Sequence, residues 1–162
     1  ELGERCVIVG PTPRGRDLPR GTLVVPYATY RLLFPRAKAL VIHGGAGTTG
    51  EALQSGRPSV VVPLGFDQFG LAWSMEELGA GVRVPKRGRS RATLLEAVRR
   101  ACKDKALRAG AERVGASLRE APDGADVAAS LIERVSAFDS CDRPPMPMFS
   151  PGKCIGSPPV DG

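Results

Sequence analysis

The chain has 162 residues, of which 42% are apolar and 25% are charged, and its formal net charge is +6. These values are typical of one soluble globular domain, and no apolar run approaches the roughly 18 residues that a membrane-spanning helix needs. The excess positive charge is mostly scattered arginine without interleaved aromatic residues, so nucleic acid is not an expected partner. We expect a cytoplasmic protein, because the sequence shows no secretory leader.

The cysteines and the histidine argue against a zinc site. Cys6, Cys102, Cys141 and Cys154 form no C-x-x-C pair, and His43 is the single histidine. A tetrahedral zinc site usually needs four such ligands close together. We therefore expect reduced thiols and no zinc site.

Short apolar runs alternate with helical patterns along the chain. The runs that predict strands are Cys6–Val9, Thr22–Val25, Ala39–Ile42, Ser59–Leu64 and Val82–Val84. Helices are predicted within 27–36, 48–55, 69–78 and 92–135, the last stretch as three amphipathic helices that pack on the sheet. Because strands without polar alternation are covered on both faces, we predict a Rossmann-like α/β fold with a parallel sheet and helices on both faces. This domain would span residues 1–137, and a disordered tail rich in proline and glycine would follow over 138–162.

The stretch from Ala39 to Gln54 organises this prediction. An apolar strand runs into Gly44, Gly45 and Gly47, and a helix is predicted to begin at Thr48. Such a turn directs unpaired backbone N–H groups past the start of the helix, where the helix dipole also favours negative charge. The stretch therefore predicts a phosphate site.

Three interpretations of the glycines compete. Gly45, Gly47 and Gly50 match the dinucleotide pattern G-x-G-x-x-G, with Asp67 as a candidate ribose ligand. The P-loop interpretation fails, because Glu51 follows where lysine is required. A third interpretation adds polar side chains that would meet at the carboxyl edge of the sheet: His43 for a phosphate, and carboxylates with an amide for vicinal hydroxyls. That inventory suits a sugar nucleotide.

Ordered motifs across the chain point the same way. The sequence resembles the donor-binding domain of family-1, GT-B-fold glycosyltransferases, which include antibiotic, macrolide, rhamnolipid and sterol glycosyltransferases. The resemblance covers about residues 5 to 135 and rests on the segments Leu33–Arg36, Val41–Thr49, Gly56–Pro58, Val61–Pro63, Asp67–Gln68 and Glu77–Gly81.

The resemblance implies a role for each matching position. The residues that would hold the donor diphosphate are His43, Gly45, Ala46, Gly47, Thr48 and Thr49. Glu51 would bind the nucleotide ribose, Asp67 and Gln68 would contact the transferred sugar, and Tyr27 and Ala28 would flank the base. The chain departs from many members at Ile42, Thr29 and Phe69, where a second histidine and two prolines are common.

Each of these residues also has a structural interpretation. Thr48 and Glu51 have the spacing of a helix capping box. His43 could be a structural histidine at a strand end, Asp67 a turn or N-cap residue, and Tyr27 a core residue. The basic loop Lys86–Arg91 is read either as a solvated loop or as a contact for anionic membrane or phosphate.

The resemblance implies inverting, metal-independent hexosyl transfer, without a cofactor, from a UDP-sugar to a hydroxyl of a small molecule or lipid. In the family the general base belongs to an amino-terminal acceptor domain, so no catalytic residue is expected in this chain, which alone would be inactive. Two alternatives stay open: an NAD(P)-binding Rossmann domain of an oxidoreductase, and a donor-binding subunit of a split glycosyltransferase.

Overall fold

The computed structural model describes residues 3–11 and 17–136. The predicted tail over 138–162 and part of the connector after the first strand lie outside these residues. The chain divides into two compact units, Glu1–Leu118 and Arg119–Gly162. The strands and the candidate site all belong to the first unit.

The strands of the first unit are all parallel. Strand β1 (Cys6–Val9) pairs with β2 (Thr22–Val25), and a second sheet has the order β3 (Leu40–Ile42), β4 (Ser59–Val61), β5 (Gly81–Arg83). The predicted parallel pairing is confirmed, and the strand positions agree with the sequence to within a few residues. In the described part of the chain the strands form two hydrogen-bonded sheets rather than one.

Helices lie between the strands and follow the last one. They are α1 (Tyr30–Leu33), continued by a 3-10 turn (Phe34–Arg36), α2 (Ala46–Gln54), α3 (Gln68–Glu77), α4 (Arg91–Lys103), α5 (Lys105–Glu120) and α6 (Gly124–Ser136). α4 begins with a capping box formed by Ser90 and Thr93. In the part that the structure describes, every helix is too short or too polar to cross a bilayer.

Strand β4 has apolar contacts on both faces. Val61 packs in one cluster with Ala52 of α2 and Met75 of α3, whereas Val60 packs in another with Ala97 of α4 and Leu107 of α5. Both valines are fully buried, because successive side chains of a strand point to opposite faces. Helices therefore cover both faces, as the unbroken apolar runs predicted.

Two expectations about helices need correction. α2 begins at Ala46 instead of Thr48, because Gly45 takes the extended N-cap conformation and its carbonyl accepts from the Thr49 N–H at 2.9 Å. The packing predicted for the three carboxyl-terminal helices is confirmed for α4 and α5. α6 lies in the second unit and buries none of its residues, although Ile132 and its apolar neighbours form one face of the helix.

Candidate functional site

Gly44 fixes the turn between β3 and α2. Its φ of +88° lies in the left-handed region, and a Cβ at this position would lie 2.8 Å from Val61 Cγ1 and 3.3 Å from the Gln68 carbonyl oxygen. A side chain is therefore opposed by both conformation and space. The absence of one lets the turn after β3 lie directly against the start of α3. The carboxyl ends of β3 and β4 share one edge, because the two strands pair in parallel.

The first turn of α2 is an open anion site. Gly45, the N-cap, has no side chain to bond the helix amides, and the first turn contains no acidic residue. The amides of Ala46, Gly47 and Thr48 precede the first intrahelical hydrogen bond, which the Thr49 N–H makes. Ala46 and Gly47 are exposed, and a Cβ at Gly47 would meet nothing within 4 Å. Both the amides and the helix dipole are thus available to an anion.

His43 lies beside this helix start. Its side chain is exposed, and a Cβ built on Gly45 would lie only 2.5 Å from its Nε2 atom. The ring therefore covers Gly45 instead of entering the apolar core, which removes the interpretation of a buried structural histidine. An imidazole N–H in this place can donate to the same anion as the amides of α2.

The two threonines of α2 differ in orientation. Thr48 is half-buried, whereas Thr49 is 4% exposed and its Oγ1 has no hydrogen-bond partner among the described residues. The Thr49 amide is already bonded to the Gly45 carbonyl. Because successive helix residues are turned by roughly 100°, only Thr48 faces the opening. The buried Thr49 side chain therefore does not lie with the exposed residues that the resemblance assigned to the diphosphate.

Glu51 is not a capping residue. With the helix beginning at Ala46, Thr48 occupies the third helical position, and the capping box predicted as an alternative cannot form. Glu51 is half-buried, and its carboxylate makes no hydrogen bond or ion pair to another residue that the structure describes. Its carboxylate is therefore available to a ligand in the cavity that it lines.

That cavity has a volume of about 420 Å³. Its wall combines Glu51 with the end of β1, the segment after β2 and the start of α1: Val9, Gly10, Pro26, Tyr27, Ala28, Thr29, Tyr30 and Arg31. Tyr27 is 78% exposed, so the core interpretation of this residue is wrong. Tyr27 and Ala28 line this cavity together with Glu51. The sequence missed Arg31 and Gly10, although Gly10 directly follows a predicted strand.

Asp67 and Gln68 begin α3 beside Gly44. Asp67 is exposed and occupies the N-cap position, but its side chain makes no capping hydrogen bond. The Gln68 Oε1 atom accepts from the Leu64 N–H at 2.8 Å and from the Gly65 N–H at 3.2 Å. Gln68 thus uses its carbonyl to hold the loop after β4, which leaves its NH₂ group for a ligand.

The loop after β4 carries an exposed aromatic residue in a strained conformation. Phe66 has a φ of 55°, uncommon for a residue with a side chain, and is 96% exposed. Nearby, Arg89 of the basic loop donates from Nη2 to the Pro63 carbonyl at 2.6 Å. One arginine of that loop therefore has a structural role at this edge, which the sequence did not indicate.

A family model matches most of the chain. Residues 7–134 match the family described as erythromycin biosynthesis protein CIII-like, C-terminal domain. The chain belongs to this glycosyltransferase family. The parallel sheets flanked by helices correspond to part of a GT-B fold, as the resemblance implied.

Named relatives narrow the class of enzyme. The chain is 34% identical over 119 residues to an uncharacterized UDP-glucosyltransferase, YojK, of Bacillus subtilis (strain 168), covering 74% of this chain and 29% of the relative. It is 39% identical over 130 residues to O-mycaminosyltylonolide 6-deoxyallosyltransferase of Streptomyces fradiae, covering 80% of this chain and 30% of the relative. The chain thus spans less than a third of the length of either relative.

A solved structure shows the same architecture. The glycosyltransferase VinC, crystallised in complex with DTDP, superposes with a TM-score of 0.68 at 25% identity, over 75% of this chain and 31% of VinC. The matched region again covers one part of a longer glycosyltransferase chain.

Proposed function

We propose that this chain binds the nucleoside diphosphate sugar of a glycosyltransferase, with UDP-hexose as the expected donor. The observation that carries the proposal is the uncapped start of α2, where the free amides of Ala46, Gly47 and Thr48 lie next to the exposed ring of His43. Those groups suit a diphosphate. The family and the nucleotide in the VinC complex support the same ligand class.

The order of polar groups fits a sugar nucleotide. Glu51 lies about one helical turn beyond the free amides and faces the cavity of about 420 Å³. A diphosphate at the amides would accordingly place its ribose hydroxyls near Glu51 and its base in the cavity beside Tyr27. On the other side of the diphosphate, Asp67 and the NH₂ group of Gln68 would receive hydroxyls of the transferred sugar.

The chemical role of this part is to stabilise the leaving group. As the bond between the sugar and the diphosphate breaks, negative charge grows on the diphosphate, and the fixed amides, the helix dipole and His43 oppose it without rearrangement. In this proposal these groups, rather than a metal ion, neutralise the diphosphate. We assign the general base to no residue of this chain, and inversion at the sugar carbon is part of the proposal.

Isothermal titration calorimetry with UDP and UDP-glucose tests donor binding. We expect binding by the 162-residue chain, and His43→Ala should weaken it roughly 10- to 100-fold, the usual effect of losing a hydrogen bond to a charged group. Glu51→Gln should also weaken UDP binding. Glu77→Gln is the matched control, because Glu77 is exposed at the opposite end of α3 from Asp67.

Two results would count against the proposal. One is the absence of heat with millimolar UDP, UDP-glucose and dTDP-glucose. The other is stabilisation by NAD(P) without any by UDP, which the dinucleotide interpretation of Gly45, Gly47 and Gly50 predicts. The acceptor, the hexose and a contact of the basic loop with anionic membrane stay predictions from the sequence.

A further inference from the structure

We infer that Arg31 selects the nucleobase of the donor by donating to the O4 carbonyl oxygen of uracil or thymine. This inference rests on the proposed function and adds a specificity residue to it. Its basis is the shared cavity of about 420 Å³, to which α1 contributes Arg31 and α2 contributes Glu51.

Arg31 and Glu51 are the charged residues in the described wall of this cavity, and they carry opposite signs. No ion pair within 4.0 Å joins them in the part of the chain that the structure describes, and neither side chain makes another hydrogen bond there. Opposite charges that line one cavity without pairing leave room for polar groups of a ligand between them. A few convergent polar groups among apolar and aromatic side chains, here Val9, Pro26 and the two tyrosines, are typical of a small-molecule site.

The backbone of Arg31 is held in place although its side chain is exposed. Tyr30, its neighbour, stacks on Phe34 with ring centroids 4.5 Å apart, and Phe34 is buried with 6% exposure in the core cluster of β3 and α2. The short helix α1 is thereby anchored to the apolar core. The Arg31 side chain therefore extends from a backbone position that is fixed at the wall of the cavity.

The chemistry of the two charged groups assigns them to different parts of a nucleoside. A carboxylate only accepts hydrogen bonds, so Glu51 suits the ribose hydroxyls, which can donate. A guanidinium only donates, so Arg31 suits a carbonyl oxygen. With the ribose at Glu51, the ring system of the base is the part that extends toward α1.

A donor-only group that contacts position 4 of the ring discriminates between pyrimidines. Uracil and thymine present the O4 carbonyl where cytosine presents an amino group, which is itself a donor. Arg31 facing cytosine would leave N–H groups opposed and unpaired, and sites built to make a hydrogen bond strongly reject ligands that cannot complete it. The wild-type chain should therefore prefer UDP and dTDP to CDP, although all three carry the same diphosphate.

Competition calorimetry with UDP and CDP tests the assignment. We expect the wild-type chain to bind UDP at least about tenfold more tightly than CDP. Arg31→Gln should reduce this ratio to about one, mainly by weakening UDP. Arg36→Gln is the matched control, because it removes the same charge from the adjacent 3-10 turn. Arg36 is exposed and lies outside the cavity wall, so this substitution should leave the ratio of UDP to CDP affinity unchanged.

The outcomes separate this inference from the proposed function. Equal binding of UDP and CDP by the wild-type chain overturns the role of Arg31 and leaves donor binding intact. An equal loss of UDP and CDP affinity in Arg31→Gln also overturns it, because Arg31 would then contact the diphosphate or ribose. If the wild-type chain binds neither nucleotide, the proposed function fails and this inference fails with it.

Discussion

Replacing Gly44 with alanine should strongly destabilise the first unit. The left-handed φ of +88° costs a residue with a side chain about 1–2 kcal/mol. The new methyl group would also lie 2.8 Å from Cγ1 of Val61, which is fully buried and cannot move freely, and such overpacking costs about 1–3 kcal/mol. We therefore expect a loss of about 2–5 kcal/mol, a large part of the roughly 5–15 kcal/mol of a typical domain.

Urea denaturation followed by circular dichroism measures this loss, provided that the slope of the transition is unchanged. Gly50→Ala is the matched control, because Gly50 lies within α2 and a Cβ there would meet nothing within 4 Å. That variant should gain about 0.5–1 kcal/mol from helix propensity. If the free energy of unfolding of Gly44→Ala stays within about 0.5 kcal/mol of the wild type, the turn does not require glycine at this position.

Other parts of the chain carry independent predictions. Phe66→Asn should stabilise the chain by up to about 1 kcal/mol in urea, because asparagine tolerates the left-handed φ of 55° and Phe66 is 96% exposed; destabilisation would contradict this. The Leu107 N–H donates to the Asp104 carboxylate and lowers the pKa of this side chain. The ionised carboxylate therefore stabilises the folded chain above the unfolded pKa of about 3.9, and this contribution is lost as pH falls through the folded pKa. Asp104→Asn should accordingly flatten the loss of thermal stability below about pH 4, and an unchanged profile would exclude this role. Burial raises the pKa of the Cys102 thiol, so less of it is the reactive thiolate at pH 8. Mass spectrometry should therefore show slower alkylation of Cys102 than of exposed Cys6, and faster alkylation of Cys102 would contradict this.

Local patterns predicted the order of elements well. The unbroken apolar runs placed the strands, because a strand covered on both faces needs no polar alternation. Val60 and Val61 show this directly, since each supplies a different core cluster. The glycines after β3 also predicted the turn from local sequence alone. Gly44 is needed there partly because its own backbone has a left-handed φ of +88°.

Side-chain roles that depend on distant neighbours could not be predicted. Thr49 is buried, and its amide is already bonded to the Gly45 carbonyl because α2 begins two residues earlier than expected. Gln68 bonds the backbone of the loop after β4, and Arg89 holds Pro63 from a loop 26 residues away. Arg31 shares a cavity with Glu51 only through the packing of α1 near α2. None of these contacts leaves a periodic signal in the sequence.

The most direct test of the account follows individual backbone amides during a UDP titration by heteronuclear NMR. We predict saturable shifts of the Ala46, Gly47 and Thr48 amides, with a smaller response to inorganic phosphate at the same concentration, because phosphate lacks the ribose that Glu51 would hold. The Thr49 amide, already bonded to Gly45, should shift less than these three. Saturable shifts confined to other parts of the chain, with the three amides unchanged, would contradict the assignment of the diphosphate to the start of α2.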